Sequence, residues 1–346
     1  MYQGRSTLTY IASLAVAAAV LISACAPAAA PAPSASQAPA ATATPPRFSL
    51  KVNWTAQTGA NSGLWTAFEA GYFNDENLDV ELVNIPSSTR SIAALLAKEV
   101  QFGNADVGNL VDAVVQGANV KAIQSITNRL VFSVMVRPDI KTPADLKGKK
   151  IGITTPGSST HTAGLQALKL WGLTDRDVAF VPLTELPNIL AALVSGQIDA
   201  GVMSPPTNTR AKAAGMAELV NLATDGPNYP SVTVAATGEF IAANPDVVKR
   251  FIKAYSRGVV RFKNDKAFGM QAINKYLRLT DTSVLDDTWT QFSKYLEIPP
   301  YVKGIESVIA DAAARDAKAK NVTPQQVFDE TFVKQLDNEG FFKNLK

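Results

Sequence analysis

Hydrophobic and polar residues follow each other along most of this chain in two patterns, one typical of strands and one typical of helices. The run Leu78–Ile85 has apolar residues at alternate positions, which predicts a half-buried strand. The run Ser62–Gly71 has Leu64 and Phe68 on one side, which predicts an amphipathic helix. Because the two kinds of segment alternate, the chain is predicted to have an α/β fold with mainly parallel sheets flanked by helices.

The predicted elements form two consecutive series. The first series has elements over residues 49–54, 62–71, 78–85, 91–98, 100–104, 110–116, 121–126 and 130–136. The second series follows an N-cap pattern at Thr142–Asp145. It has elements over residues 150–154, 159–171, 178–183, 186–195 and 198–203.

The C-terminal third has a more helical pattern. Asn244-Pro245 starts one predicted helix, and the capping box Thr323–Gln326 starts another. The second of these helices carries Phe328, Phe332 and Leu336 at helical spacing. This stripe predicts a core face that packs against the first series.

The two series resemble each other when the chain is shifted by 98 positions. The shift places Ala94–Ala97 over Ala192–Ser195, and it places Gly103 over Gly201. Duplicated α/β units predict two similar lobes, and small ligands usually bind in the cleft between such lobes. Chance agreement between two generic helix–strand patterns is the alternative.

The N-terminal segment has the layout of a bacterial lipoprotein signal peptide. Arg5 comes first, an apolar run from Ile11 to Leu21 follows, and small residues precede Cys25. The pattern predicts removal of residues 1–24, a lipid on the Cys25 thiol, and an extracytoplasmic protein anchored to a membrane. An ordinary secretory signal that happens to contain a cysteine is the alternative.

Residues 25–47 are predicted to be a disordered linker. Between Ala26 and Pro46 the chain is almost wholly Ala, Pro, Ser and Thr, without charge or large apolar residues. Such a segment cannot bury enough surface to fold, and its prolines favour extended conformations. We expect it to hold the folded body away from the lipid surface.

The composition is poor in catalytic side chains. Cys25 is the only cysteine and His161 the only histidine in the 346 residues, so a Cys nucleophile, a polyhistidine metal site and a CxxC motif are excluded. The net charge of +3 and the absence of a basic run give no reason to expect a nucleic acid partner. A triad that uses His161, or a hydrolase with carboxylates alone, remains open. We expect a binding protein without catalytic residues, cofactor or metal.

The loop Gly157-Ser158-Ser159-Thr160 is the first candidate ligand site. It lies between a predicted strand and a predicted helix, where unpaired N–H groups and the helix dipole bind anions. His161 follows directly and could bond a polar ligand group. A plain helix cap is the alternative.

Other candidates follow the ends of the remaining predicted strands, where they would face the same cleft, and one is an aromatic residue that could stack on a flat ligand. Polar turns, helix caps and core packing are the alternatives. The complete set of predicted contacts is Trp54, Asn61, Ser87, Ser88, Asn104, Asp106, Gly157, Ser158, Ser159, Thr160, His161 and Ser204.

Several of these segments together resemble a known family. The resemblance is carried by Glu69–Phe73, Leu78–Val83, Asp145–Gly152 and Pro156–His161, and it continues in order over nearly the whole body. The chain is similar to the nitrate/sulfonate/taurine group of ABC-transporter substrate-binding proteins. That group overlaps the thiamine-pyrimidine-synthase type.

The resemblance implies the type II periplasmic binding protein fold, in which two lobes are joined by two crossing strands that act as a hinge. On that basis we expect residues 48–136 and 232–346 to form lobe 1 and residues 137–231 to form lobe 2. The implied function is a monomeric, lipid-anchored receptor. It would capture a small organic anion or a polar heteroaromatic ligand and deliver it to an ABC permease.

Two other functions remain open. Some relatives of this type make the thiamine pyrimidine and use a histidine of their own as substrate, a role that only His161 could take. Export and lipidation argue against such an enzyme. A partner that presents ligand to a membrane sensor is the second alternative, and the sequence does not separate it from a transport receptor.

Overall fold

The computed structural model describes residues 45–345 of this protein. The predicted signal peptide, Cys25 and most of the predicted linker lie outside the described residues. Within residues 45–345 the strands form two five-stranded sheets. In chain order the strands are β1 (Phe48–Trp54), β2 (Leu78–Asn84), β3 (Phe102–Ala105), β4 (Val120–Arg129), β5 (Ser133–Val136), β6 (Lys150–Ile153), β7 (Ala179–Pro182), β8 (Ala200–Met203), β9 (Ala217–Asn221) and β10 (Asn228–Thr237).

The two sheets share one plan. The strand order is β2-β1-β3-β10-β4 in the first sheet and β7-β6-β8-β5-β9 in the second. In each sheet three adjacent strands run parallel, and the next strand runs antiparallel to both of its neighbours. The predicted two-lobed α/β architecture is confirmed, with mixed sheets in which the parallel pairs lie together.

The chain passes between the sheets twice, at residues 130–132 and at residues 222–227. The antiparallel strand of each sheet, β5 or β10, is the strand that follows a crossing. β5 (Ser133–Val136) pairs with β8 and β9 in the second sheet, although the sequence analysis assigned residues up to 136 to lobe 1. The apolar pattern is the same on both sides of the crossing, so it did not mark the change of sheet.

The name "first lobe" is used below for the first sheet and the helices that pack on it, and "second lobe" for the second sheet with its helices. In chain order the α-helices are α1 (Ser62–Glu69), α2 (Tyr72–Asp75), α3 (Ser88–Leu96), α4 (Val107–Val115), α5 (Ser159–Leu170), α6 (Leu186–Val194), α7 (Thr207–Ala213), α8 (Leu222–Asp225), α9 (Gly238–Ala243), α10 (Pro245–Asn264), α11 (Lys266–Leu277), α12 (Thr282–Tyr295), α13 (Ile305–Arg315), α14 (Pro324–Val327) and α15 (Thr331–Asn338). Short 3-10 helices cover Gly59–Asn61, Pro143–Leu146, Asp175–Asp177, Ala317–Asn321 and Phe342–Asn344.

The repeat seen in the sequence corresponds to a structural repeat. α3 (Ser88–Leu96) and α6 (Leu186–Val194) begin and end at positions that differ by the same shift of 98. β3 (Phe102–Ala105) and β8 (Ala200–Met203) differ by that shift as well. The helix–strand pair α3–β3 therefore has a counterpart of the same length in the second lobe.

The C-terminal helices pack mainly on the first lobe. α10 and α11 contact α1, and α13 contacts α4. The apolar face of α10 enters the core, where the Phe251 ring stacks on Phe102 of β3 at a centroid distance of 4.1 Å. This packing makes the first lobe the larger of the two.

The predicted helix that starts at the capping box is shorter than expected. The capping box of Thr323 and Gln326 is present, but α14 ends at Val327 and Phe328 is extended. The Asp329 N–H donates to the Ala122 carbonyl of β4, 2.8 Å away, so pairing with a strand interrupts the helix. Phe332 and Leu336 lie on the separate helix α15.

Among the helices within residues 45–345, none combines the length and the apolar character that a bilayer crossing requires.

Candidate ligand-binding site

A small cavity lies between the two lobes. Its volume accessible to the centre of a water molecule is about 60 Å³. By the same measure one water needs roughly 10–15 Å³, so the enclosed space suits a small solute. The lining residues are Thr55, Ala56, Thr58, Ala60, Asn61, Pro86, Ser87, Ser88, Asn104, Ala105, Val131, Phe132, Thr154, Ser158, Ser159, Thr160, Leu186, Ser204, Ser231, Val232 and Phe292.

Most of the predicted contacts come together at this cavity, and they come from both lobes. Each follows a strand or opens a helix, as the carboxyl ends of parallel strands in facing lobes require. The predicted residues that line it are Asn61, Ser87, Ser88, Asn104, Ser158, Ser159, Thr160 and Ser204.

The first turns of two helices face the cavity from opposite sides. Ser87 is the N-cap of α3 and accepts a hydrogen bond from the Arg90 N–H at 3.3 Å. Ser158 is the N-cap of α5, but its hydroxyl donates to the Thr155 carbonyl at 2.7 Å and does not cap the helix. Free first-turn N–H groups and the positive end of the helix dipole favour a negative or strongly accepting ligand group.

The main-chain donors of these turns are available. Within residues 45–345, no hydrogen bond uses the N–H groups of Ser88 and Thr89 in α3 or those of Ser159, Thr160 and His161 in α5. Orphan N–H groups at helix starts need side chains, water or a ligand as partners. The lining of the cavity contains no Lys, Arg, His, Asp or Glu from this part of the chain, so these dipoles dominate its electrostatics.

Two asparagines connect the first-lobe wall of the cavity. The Asn61 Nδ2 donates to the Thr55 carbonyl at 2.7 Å and lies 3.3 Å from the Ala56 carbonyl, and its Oδ1 accepts from the Asn104 Nδ2 at 2.5 Å. Both side chains are almost fully buried. They fix the loop after β1, in which Ala56 has a left-handed φ of 45°.

The lobes make direct contact around the cavity. The Ser88 and Ser159 hydroxyl oxygens are 3.2 Å apart, and the Ser204 hydroxyl donates to the Thr58 Oγ1 at 2.8 Å. The Thr58 hydroxyl and the Gly59 N–H both donate to the Pro205 carbonyl. These bonds across the cleft correspond to a closed arrangement of the lobes.

Trp54 lies away from the cavity. Its ring packs edge-to-face against Trp65 at a centroid distance of 5.2 Å and against Tyr276 at 6.1 Å. Because side chains alternate along a strand, the last residue of β1 points toward α1 and α11 while the following residue, Thr55, lines the cavity. Its aromatic surface therefore serves the core of the first lobe.

Asp106 lies behind the cavity and not in its wall. Its side chain is fully buried, and its Oδ1 accepts hydrogen bonds from the Gly108 N–H at 2.9 Å and the Tyr229 hydroxyl at 3.1 Å. It is the N-cap of α4. Burial raises the pKa of Asp106 to about 7.

Gly157 and His161 line a second and more open cavity of about 390 Å³ on the other side of the α5 first turn. The His161 Nδ1 accepts a hydrogen bond from the Gly157 N–H at 3.0 Å, so the neutral ring carries its proton on Nε2. Burial and the positive charge of Arg315 lower the pKa of His161. The helical turn of α5 directs this side chain away from the ligand-binding cavity.

Several lining residues were not predicted. Thr55 and Thr154 directly follow β1 and β6, and their position after a parallel strand was a usable signal. Phe132 comes from the first crossing between the sheets, and Phe292 comes from α12 far along the chain. Such long-range contributions leave no local pattern in the sequence.

A sequence model of the family described as NMT1/THI5 like matches residues 60–265, which is more than half of the chain. A binding protein from Brucella abortus is 31% identical over 209 residues, and the match covers 59% of this chain and 63% of that protein. The taurine-binding periplasmic protein of Escherichia coli is 28% identical over 215 residues, covering 60% of this chain and 64% of that protein. The chain thus spans somewhat less than two thirds of the length of these curated relatives.

One relative is an enzyme by name. The 4-amino-5-hydroxymethyl-2-methylpyrimidine phosphate synthase of Candida albicans is 25% identical over 228 residues, covering 61% of this chain and 66% of that protein. Membership of the family therefore does not by itself separate binding from catalysis.

The solved structures agree with the fold. The alkanesulfonate-binding protein SsuA from Xanthomonas axonopodis pv. citri, bound to MOPS, superposes with a TM-score of 0.67 at 20% identity, covering 81% of this chain and 95% of that one. Together with the two matched sheets and the two crossings, this likeness confirms the fold expected from the sequence. The chain belongs to the NMT1/THI5-like family and has the type II periplasmic binding protein fold.

Proposed function

We propose that this protein is an extracytoplasmic solute-binding protein that captures a small organic anion or a polar heteroaromatic ligand and delivers it to an ABC importer. The observation that carries the proposal is the cavity between the lobes, with the first turns of α3 and α5 directed into it. Ligand that bridges the two turns gains contacts to both lobes only when they close, so binding shifts the equilibrium toward the closed form.

The lining chemistry favours a solute with one polar end and one apolar end. Ser88, Ser159 and Thr160 supply hydroxyls beside free main-chain N–H groups. Phe132 and Phe292 supply apolar surface. Helix dipoles and hydroxyls stabilise a negative or accepting group without a buried cation, which avoids the cost of desolvating a Lys or Arg side chain.

A binding role accounts for the site better than catalysis does. In the described part of the chain, the side chains that line the cavity carry no group that titrates near neutral pH. The single histidine, the only candidate for a pyrimidine-synthase-like reaction, faces the second cavity. We therefore assign no catalytic residue.

Native mass spectrometry of the freshly purified protein tests the proposal, because a captured solute should co-purify. Taurine and methanesulfonate serve as anionic probes, and 4-amino-5-hydroxymethyl-2-methylpyrimidine serves as the neutral heteroaromatic probe. A true ligand at 100 times its Kd should add about 2.7 kcal/mol to the free energy of unfolding. The proposal is contradicted if no solute co-purifies and neither a probe nor a wider panel of small solutes raises the melting temperature.

We also propose that the protein is anchored through a lipid on Cys25. Replacing Cys25 with serine should release the protein from the membrane fraction, because acylation requires the thiol. Fractionation and immunoblotting would measure this release, with the exposed substitution Asn74→Ser as the control that stays in the membrane fraction. A Cys25→Ser protein that remains membrane-bound would exclude the lipid anchor.

A further inference from the structure

Asp106 lies where the two lobes meet behind the ligand-binding cavity. It directly follows Asn104 and Ala105, which line that cavity, and it caps α4 of the first lobe. Its side chain has no exposed surface. Any change in the charge of this carboxyl group is therefore felt at the interface between the lobes.

The second lobe supplies part of this burial. Ser159, in the first turn of α5, lies close enough to Asp106 for its hydroxyl to interact with the carboxyl group. Thr162 of the same helix lies beside the Tyr229 hydroxyl that donates to Asp106. Because α5 moves with the second lobe, opening the cleft would bring water to the carboxyl group.

The carboxylate lacks a cationic partner in the closed arrangement. Its Oδ2 is buried and has no hydrogen-bond partner within residues 45–345. An ionised carboxylate in such a place is costly unless it is paired, and protonation removes the cost. This agrees with the pKa near 7 that burial gives the group.

The charged and titratable groups around Asp106 do not replace such a partner. Asp112 on α4 adds negative charge, and it is paired with Arg315 of α13 at 3.4 Å. Tyr229 of β10 stays protonated because burial raises its pKa. From α5, His161 faces the second cavity, where Lys169 pairs with Asp311 of α13.

We propose that Asp106 is a proton-binding site whose occupancy is coupled to closure of the lobes. The closed form holds the protonated acid, and the open form holds the carboxylate in contact with water. The proposal builds on the capture of a solute by lobe closure, and it adds that capture takes up a proton at a position outside the solute cavity.

The direction of the effect follows from the two pKa values. Asp106 titrates near pH 7 in the closed form, and a solvated aspartate titrates near about 3.9. Closure therefore binds a proton between these limits. As the pH rises from about 4 to about 7, the ratio of closed to open protein should fall by up to about tenfold per pH unit, and it should level off above that range.

Electron–electron distance measurements between spin labels on the two lobes would test this without a ligand. Leu96 and Val194, which end α3 and α6, are 44% and 52% exposed and suit labelling after replacement by cysteine in a full-length Cys25→Ser chain. The parent should have a larger short-distance population at pH 5 than at pH 8. Asp106→Asn keeps an acceptor for Gly108 and Tyr229 and replaces the acid O–H with an amide donor, so its distribution should match the parent's at pH 5 at both pH values.

Three further variants make the result specific. Asp112→Asn and His161→Gln remove neighbouring titratable groups and should keep the parent's response to pH. Asp106→Ser keeps a helix-capping hydroxyl and should also lose the response. A parent distribution that does not change between pH 5 and pH 8, or a response that persists in Asp106→Asn, would overturn this inference and leave solute capture standing. A protein that stays open even with its co-purified solute bound would overturn the proposed function itself.

Discussion

Replacing Gly258 with valine is expected to destabilise the protein by about 3 kcal/mol, because it forces apart two helices whose backbones are in contact. A Cβ atom at Gly258 of α10 would lie 2.4 Å from the Gly63 carbonyl oxygen and 2.6 Å from the Ala67 nitrogen, both main-chain atoms of α1. Main-chain atoms cannot rotate away as a side chain can. The whole of α1 would have to shift, and urea unfolding would measure the loss.

Gln271→Val is the matched control for this substitution. Gln271 is exposed on α11, so it introduces the same β-branched side chain without a steric clash. Its cost should stay below about 1 kcal/mol, which reflects the helix propensity of valine. Equal losses in the two variants would show that the close approach of α1 and α10 contributes nothing to stability.

The same displacement should reach the ligand-binding site. α1 follows directly after the 3-10 helix Gly59–Asn61, and Ala60 and Asn61 line the cavity. A shift of α1 therefore moves the first-lobe wall. The glycine contact deep in the first lobe and the geometry of the cavity are parts of one rigid arrangement.

The sequence predicts those parts of the fold that depend on local patterns. The alternation in Leu78–Ile85 and the stripe in Ser62–Gly71 each correspond to elements of the structure, β2 and α1. The shift of 98 also holds for α3 and α6, because copies of one helix–strand unit pack in the same way. Periodicity reports which residues share a face, and here the faces are simple.

The prediction was wrong where partners distant in sequence decide the structure. The run 130–136 is apolar throughout, but residues 130–132 cross between the sheets and only Ser133–Val136 form a strand. The helix expected from Pro324 to Leu336 is interrupted because Asp329 bonds to Ala122 of β4. In both cases the deciding contact lies outside any local window of sequence.

The candidate site shows the same division. Ser158, Ser159 and Thr160 could be placed at the cavity from their position between a strand and a helix. The rotation of α5 then separates Thr160 from His161, which faces the other cavity. A stretch of sequence predicts that a loop lies at the cleft, but which side chains of its first turn face inward depends on the packing of the helix.

Replacing Asn61 with leucine is expected to weaken solute binding by about 10- to 100-fold or more. Leucine has a similar size but cannot donate to the Thr55 carbonyl, which the Asn61 Nδ2 contacts at 2.7 Å, or accept from the Asn104 Nδ2. Each buried polar group left without a partner costs about 1–3 kcal/mol, and each 1.4 kcal/mol is about tenfold in affinity if the cost falls on the closed form. Isothermal titration calorimetry with the co-purified solute would measure the loss.

Two comparisons identify the cause of that loss. Asn61→Asp keeps the acceptor for Asn104 and removes only the donor to the β1 loop, so we expect an intermediate loss of affinity. Asn74→Leu makes the same chemical change at an exposed position and should bind solute as the parent does. Because the loop after β1 holds Ala56 in a left-handed conformation, losing its donor should also reduce the melting temperature of Asn61→Leu. Unchanged affinity in Asn61→Leu would mean that the two asparagines do not shape the cavity and that ligand is held by the helix starts alone.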